Sequence, residues 1–417
     1  MPPILTAVTA SSISVPHQGQ AARPGLRTFH SRRFRMLICG LLLVVGATIL
    51  GSAMARQAAD PAGQFAIDFA DYHAAAQRVA AGDTPYAPDM LLGPVTAQGQ
   101  DRYRYPPPLA QLLVPAAGLP LGAAASVWLL LQALSVMAAV WVAGSAGGAT
   151  RSGERLLWSA VAATWFLPVF DTLWKGNVSG FVALAVALVA VGGSVAGLAS
   201  VAGVALKLVP LTLTPAAFLP APRRTWVIGA AAAAAIGIAS FLASPRAWAD
   251  YLIVLPNLLA GTADYATNLA PAGVAAQLGL PDALVTAVRI AALVTAAAAV
   301  VGSIALCRRP GGRGAALVLG TAAMLLLPAA LWYHYLAVLL PLGALAWPQA
   351  GRRIRAALLA GGVAISAALV WLPLALAGAG VMIVAALAAT WPWTAGDRPA
   401  SPGSAGPRTA CPRTACR

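Results

Sequence analysis

The sequence contains little charge. Only 9% of its 417 residues are charged, whereas 59% are hydrophobic, and the mean hydropathy is +0.77. So few polar side chains cannot cover a water-soluble body of this size, which excludes an ordinary soluble enzyme. Lysine is especially scarce, because Lys175 and Lys207 are the only two in the chain.

Sequence motifs that are typical of soluble enzymes are lacking as well. The four cysteines have neither the spacing of a disulfide framework nor that of a metal site. The chain has no Walker loop, Rossmann glycine fingerprint or HExxH segment, so nothing supports chemistry on ATP or on a soluble nucleotide sugar. The basic residues form no face with interleaved aromatics, which argues against nucleic acid as a partner.

Most of the chain consists instead of long apolar runs rich in Ala, Leu and Val. A helix needs roughly 20 such residues to cross a bilayer, and it satisfies its backbone N–H groups within its own segment. The sequence therefore predicts an all-α integral membrane protein, a polytopic bundle of about twelve transmembrane helices. The runs are residues 36–54, 106–120, 122–144, 155–170, 178–194, 197–219, 226–244, 282–306, 314–331, 335–349, 356–376 and 379–393.

Short arginine clusters separate several of these runs, in a chain whose net charge is +15. Such clusters are typical of cytoplasmic loops, so we predict a multi-pass protein of the inner (plasma) membrane. Arg151 and Arg155 do not fit this topology, because twelve crossings place them outside unless the run at 106–120 is re-entrant. The clusters lie at 32–35, 223–224, 308–313 and 352–355.

The remaining segments differ in composition. Residues 1–31 are predicted to be a disordered cytoplasmic leader and residues 394–417 a disordered tail, on either side of a transmembrane domain at 32–393. Two large loops, 55–105 and 245–280, are predicted to lie outside the cytoplasm. The second loop is expected to shape the site of an acceptor.

The first of these loops collects the acidic residues. Residues 55–105 hold six of the twelve Asp and Glu residues of the chain. Within the loop, residues 67–80 are typical of a short amphipathic helix that lies at the membrane interface, where it can hold a lipid substrate.

Several segments, in this order, resemble GT-C-type polytopic glycosyltransferases, specifically glycosyltransferase family 87, which includes polyprenol-phosphate-mannose-dependent α-mannosyltransferases. The resemblance covers about residues 65–340. It implies a GT-C-like fold and transfer of a hexose, with mannose preferred, from a polyprenyl phosphate to a glycolipid or glycan outside the cytoplasm. The segments are DFADYHAA at 68–75, GDTPY at 82–86, YRYPPPL at 103–109, GNVS at 176–179, GVALKLVP at 203–210 and WYHY at 332–335.

The resemblance also implies a general base. Asp68 matches the loop carboxylate of the family, and a carboxylate there can remove the proton of an acceptor hydroxyl as that hydroxyl attacks the sugar. One base and one attack invert the anomeric carbon. Asp68 could instead be the N-cap of the interfacial helix. Asp71, one turn later on the same face, is the alternative base or a partner.

Three further residues are candidates for substrate binding. Lys207 lies inside an apolar run, where a charge usually faces a cavity or a partner. It either binds phosphate or substrate, or it snorkels or pairs with a carboxylate such as Asp171. His334 either donates to the donor phosphate or an acceptor hydroxyl, or is a packing residue. Asn177 stands where the family has Gln, and either binds sugar or caps a helix.

The remaining candidates surround the first loop. Arg104 and Tyr105 precede the prolines at 106–108, where the arginine can clamp a lipid phosphate or anchor the chain among headgroups. Tyr86 completes the predicted substrate-binding set. Asp68 and Asp71 could together hold a divalent cation. Because a lysine or arginine can carry the charge of the phosphate, we expect no metal and no cofactor besides the lipid-linked sugar.

Two other functions remain open. Twelve helices also suit a transporter or flippase of lipid-linked sugars. Such a carrier is expected to show two halves related by an internal repeat, and no such repeat is visible. A member of the family that has lost catalysis and acts as a scaffold is the third hypothesis.

Overall fold

A computed structural model describes residues 31–60, 65–95, 102–260, 267–369 and 371–392. Within these ranges the ordered elements are α-helices and short 3-10 turns, with no strand, which confirms the all-α prediction. The helices are α1 Arg32–Ala59, α2 Ile67–Ala80, α3 Pro107–Leu112, α4 Leu121–Ala146, α5 Gly153–Trp165, α6 Leu167–Lys175, α7 Ser179–Val191, α8 Gly193–Leu206, α9 Thr214–Phe218, α10 Arg223–Ala243, α11 Pro245–Ala260, α12 Pro271–Gln277, α13 Asp282–Cys307, α14 Arg313–Leu326, α15 Leu339–Ala346, α16 Arg352–Ser366 and α17 Pro373–Thr390.

Five helices of the described chain are long and apolar enough to cross a membrane, namely α1, α4, α10, α13 and α17. A sixth crossing results if α5 and α6, which meet at an angle of 69°, are counted as one bent span. These helices identify a membrane protein. The number of twelve crossings stays a prediction, as do the inner membrane and the sidedness.

Several predicted runs are divided into shorter elements. The run at 106–120 forms α3 and a 3-10 turn at Val114–Ala116. Six helical residues extend only about 9 Å, too little to cross a bilayer. The run at 155–170 breaks at Phe166, because Pro168 starts a new helix there. The run at 197–219 breaks at Lys207, whose backbone is extended.

The main core lies among the apolar helices. The pairs α4 and α7, α13 and α14, and α16 and α17 pack closely. The last pair meets at two glycines: a Cβ at Gly361 would lie 2.8 Å from the carbonyl oxygen of Gly378, and a Cβ at Gly378 would lie 2.6 Å from that of Gly361. Small residues at such crossings let helix backbones approach without side chains between them.

The predicted helix of the first loop is present as α2. Every third or fourth side chain is buried, including Phe69, Tyr72 and Ala76, and this face packs against α3 and α4. The apolar face of α2 is thus covered by protein. The position of α2 at a membrane interface stays a prediction. The second loop contains α11 and α12.

Some predictions fall on the rest of the chain. The predicted leader, apart from Ser31, and the predicted tail lie outside the described residues, as do residues 261–266 of the second loop.

Candidate active site

The candidate site lies where five helix ends and connecting segments meet. They are the first turn of α2, the loop at 103–106, the junction of α6 and α7 at 175–178, the end of α8, and the 3-10 turn Tyr333–Val338. Hydrogen bonds, cation–π contacts and a contact of 3.9 Å between Asp68 and His334 join side chains from all five segments. The residues brought together are Asp68, Tyr105, Asn177, Lys207 and His334.

Asp68 provides the carboxylate at the centre of this site. Its Oδ2 accepts a hydrogen bond of 2.8 Å from Nδ2 of Asn177, and the side chain is 27% exposed. The N-cap of α2 is Ala66, which makes no side-chain cap. The alternative prediction, that Asp68 caps this helix, is therefore wrong, and its carboxylate is directed toward the cluster instead.

Asn177 joins the carboxylate to the start of α7. Its Oδ1 accepts hydrogen bonds from the backbone N and the Oγ of Ser179, at 3.1 and 2.7 Å. Its Nδ2, besides the bond to Asp68, lies 3.2 Å from the hydroxyl of Tyr72 and 3.0 Å from that of Tyr105. The N-cap of α7 is Val178, not Asn177, so Asn177 lies one residue before the cap and its amide holds the carboxylate of Asp68.

The backbone before Asn177 is shaped by a glycine. Gly176 ends α6 with a φ of 68°, and a Cβ there would lie 2.7 Å from Cβ of Phe69. The conformation and the close approach both require glycine. The indole of Trp128 donates to the Gly176 carbonyl at 2.7 Å and fixes the same turn.

Tyr72 and Tyr105 place two neutral hydroxyls beside Asp68. The hydroxyl of Tyr72 donates to that of Tyr105 at 2.9 Å, and the rings pack edge to face. Burial raises the pKa of both phenols, and the nearby charge of Asp68 adds to the effect. Both hydroxyls therefore stay protonated at neutral pH and act as hydrogen-bond donors.

Lys207 lies over aromatic rings at the opposite side of the site. Its Nζ is 3.1 Å from the ring centroid of Tyr335 and 5.5 Å from that of Tyr105, which are cation–π contacts. Among the described residues no carboxylate lies within 4 Å of this ammonium. The alternative that Lys207 pairs with Asp171 is wrong, because Asp171 contacts Lys175 instead, at 3.4 Å.

His334 is a buried member of the site. It is 2% exposed, and its Nδ1 lies 3.2 Å from Oδ2 of Asp171. Its Nε2 faces Oδ2 of Asp68 at 3.9 Å and has no hydrogen-bond partner within the described chain. Burial lowers the pKa of the imidazole, against the opposing effect of Asp171. A packing histidine with both nitrogens satisfied does not fit this geometry.

The second loop helps to place His334. Oδ1 of the fully buried Asn268 accepts hydrogen bonds from the backbone N of Ala270 and of Leu331, at 2.8 and 3.0 Å. Its Nδ2 donates to the carbonyl of Ala329 at 3.0 Å. The segment that leads into the 3-10 turn is therefore tied to the loop before α12.

The other predicted residues have different surroundings. Tyr86 is fully buried and donates to the carbonyl of Tyr105 at 2.9 Å, so it holds the backbone of Tyr105 in place. Arg104 is half-buried, and its charge acts on Lys207 and on Tyr335. Asp71 is half-buried one turn beyond Asp68 on α2 and remains the alternative base.

Sequence analysis did not single out three members of the cluster. Tyr72 lies four positions after Asp68, on the same helix face, and this spacing was the available signal. Tyr335 directly follows His334 in the chain. Asp171 was considered only as a possible partner of Lys207, although its spacing from Lys175 is that of a helical ion pair.

An apolar cavity adjoins the charged cluster. Its volume is about 530 Å³, and its walls come from α2, α3, α4, α7 and α8. The lining includes Phe69, Trp128 and Leu206. Phe69 follows Asp68 in the chain, Leu206 precedes Lys207, and the indole of Trp128 donates to the carbonyl of Gly176. None of the five cluster residues lines this cavity, but the chain neighbours of Asp68 and Lys207 do, so the cavity lies beside the cluster.

The cluster combines one partly exposed carboxylate, neutral donors and a lysine. Such a set can remove a proton from an alcohol while it stabilises negative charge on a neighbouring phosphate. In the described part of the chain, no group of three or more His, Cys, Asp and Glu residues has the arrangement of a metal site.

Comparison with known proteins gives one match. The family model described as "Glycosyltransferase family 87" matches residues 103–331, more than half of the chain. The matched part contains Tyr105, Asn177 and Lys207, whereas His334 lies three residues after its end and Asp68 thirty-five residues before its start. No curated protein and no solved structure matches the chain.

Proposed function

The chain belongs to glycosyltransferase family 87, and we propose that it transfers a hexose, with mannose as the first candidate, from a polyprenyl phosphate to a glycolipid or glycan. The transfer takes place outside the cytoplasm and inverts the anomeric carbon. The observation that carries the proposal is a partly exposed carboxylate, Asp68, held by Asn177 in one cluster with His334 and with Lys207, which lies over the ring of Tyr335.

Asp68 acts as the general base. The acceptor oxygen bonds to the anomeric carbon while the bond from that carbon to the phosphate oxygen breaks, and Oδ2 of Asp68 takes the hydroxyl proton. The hydrogen bond from Asn177 aims the carboxylate and occupies one lone pair of Oδ2, so the second lone pair of that oxygen takes the proton. With one carboxylate acting from the face opposite the leaving group, a β-linked donor gives an α-linked product.

Lys207 stabilises the leaving group. The polyprenyl phosphate gains negative charge as it departs, and a phosphate needs a cation or donors rather than an acid. Burial and the like charge of Arg104 disfavour the charged form of Lys207, whereas the carboxylate of Asp68 favours it. The negative charge of a lipid phosphate bound beside Lys207 and Arg104 would favour the charged lysine further.

The apolar cavity holds the first isoprene units of the donor. Its lining is almost wholly apolar and includes Leu112, Leu131 and Leu188. A polyprenyl chain in this cavity extends from the charged cluster toward the surrounding hydrocarbon. Because the tail comes from membrane hydrocarbon and not from water, the cavity mainly sets its position through packing and shape.

The rival function is a carrier or flippase. Carriers built from repeats place ionisable residues at corresponding positions of two halves. Here the carboxylate, imidazole and ammonium groups meet in one cluster formed by five different segments. This favours a catalytic site over a transport path.

The test uses purified protein in lipid nanodiscs. It is incubated with polyprenyl-phosphate mannose, or with its glucose or arabinose counterpart, and with a membrane lipid extract as acceptor. We expect labelled glycolipid from one donor, and none with Asp68→Asn. Activity with none of the three donors, together with solute uptake by liposomes that contain the protein, contradicts the proposal. Glu154→Gln, which breaks an ion pair with Arg35 between α1 and α5, is the control for general loss of stability.

A change in the cavity tests the position of the lipid. Ala202 lies in its wall, and Ala202→Phe takes up space that the donor tail needs. We expect the KM for a long-chain donor to rise about tenfold, equivalent to about 1.4 kcal/mol, with a smaller change in kcat. A donor with a single short prenyl unit should be affected less. Equal effects on both donors place the tail elsewhere.

A further inference from the structure

The buried His334 and the half-buried Asp171 form a pair next to the proposed base. Nδ1 of His334 lies 3.2 Å from Oδ2 of Asp171, and the other oxygen of Asp171 lies 3.4 Å from Nζ of Lys175. A carboxylate in this position requires a proton on Nδ1, because it can only accept. In the neutral ring, Nε2 then carries a free lone pair, and this atom is the one that faces Asp68.

We infer that Asp171 is a positioning residue that directs Nε2 of His334 toward Asp68, so that the imidazole takes up the proton which Asp68 has removed. The inference rests on the proposed function, since it concerns the recovery of the base after each transfer. It assigns to His334 a role beside the carboxylate, not a contact with the donor phosphate.

The proton balance is simple. After the attack, Asp68 carries the proton of the acceptor hydroxyl. Its O–H bond breaks as an N–H bond forms on Nε2, which leaves a carboxylate and an imidazolium. Because 3.9 Å is too long for a direct hydrogen bond, a solvent water about 2.8 Å from both atoms would take the proton of Asp68 and pass one of its own protons to Nε2. The imidazolium releases the proton to water when the product leaves.

The surroundings of the ring support this role. The charged groups that act on it are Asp171, Asp68 and Lys175. The two carboxylates stabilise the imidazolium, and Lys175 keeps Asp171 in place from its far side. Thr172 donates to the backbone carbonyl of His334 at 3.3 Å, so helix α6 holds both the ring and its backbone.

A purely structural role would give a different response. If Asp171 only joined α6 to the 3-10 turn, its replacement would lower the amount of folded protein and leave the pH dependence of the remaining activity unchanged. A positioning role changes kcat and its pH profile while the KM values remain similar.

The experiment compares Asp171→Asn, Asp171→Glu and His334→Gln with the unchanged protein in nanodiscs. We expect kcat of Asp171→Asn to fall about a hundredfold, with both KM values within about threefold. The acidic limb of its pH profile should move to lower pH, because the imidazolium loses a neighbouring carboxylate. Asp171→Glu should restore part of kcat and the position of the limb. An unchanged kcat, an unchanged limb, or a rise in the KM for the donor overturns the inference.

A second measurement does not depend on activity. The chain has four histidines, and solid-state NMR of protein labelled with ¹⁵N-histidine identifies the signal of His334 by its loss in His334→Gln. We expect the neutral tautomer with a proton on Nδ1, which should be lost in Asp171→Asn. A proton on Nε2 in the unchanged protein overturns the inference, whether or not hexose transfer is detected. Absence of transfer in the unchanged protein overturns the proposed function instead.

Discussion

Replacement of Asp68 by Asn is expected to lower kcat by a factor of about a thousand. The amide has the size of the carboxylate, and its oxygen can still accept the hydrogen bond from Asn177. The fold and the KM for the donor should therefore change little, while the group that removes the proton is lost. Steady-state kinetics with lipid-linked donor and a saturating acceptor measure both quantities.

Two variants make this expectation specific. Asp68→Glu keeps the carboxylate but moves it by one methylene, so part of the activity should remain. Asp71→Asn removes the neighbouring carboxylate of α2 and should retain most of the activity. If Asp71→Asn is the inactive variant and Asp68→Asn is active, the assignment of the base is wrong.

Replacement of Lys207 by Met is expected to lower kcat about a hundredfold and to raise the KM for the donor. Methionine can occupy the place over the ring of Tyr335 but carries no charge for the departing phosphate. Loss of a single group that stabilises charge in the transition state typically lowers the rate by about two to three orders of magnitude. Lys207→Arg should recover part of the rate because the charge is retained.

The second lysine of the chain provides a matched comparison. Lys175 contacts Asp171 and not the rings of Tyr105 and Tyr335, so Lys175→Met should leave the KM for the donor unchanged. An increase in that KM equal to the increase caused by Lys207→Met contradicts the assignment of the phosphate to Lys207.

The sequence predicts the all-helical membrane character and several members of the site. Long apolar runs require helices in a lipid environment. A carboxylate in the first loop, a lysine in an apolar run and a histidine between tyrosines are unusual in such a chain. Each is visible locally, which is why Asp68, Lys207 and His334 could be selected before their contacts were known.

Other features depend on contacts that local patterns do not contain. Apolar composition alone does not distinguish one long helix from two short ones, so the divisions at Phe166 and Lys207 were missed, although Pro168 and Pro210 follow them closely. The pair of Asp171 and His334 joins residues far apart in the chain. Neither residue has a sequence neighbour that indicates this contact.

The anomeric configuration of the product tests the central claim most directly. The purified protein is given a β-linked polyprenyl-phosphate hexose and a glycolipid acceptor, and the linkage in the product is determined by NMR. A single carboxylate that acts as base at Asp68 predicts an α-linked product. A β-linked product, or a hexose bound covalently to the protein during turnover, would contradict it.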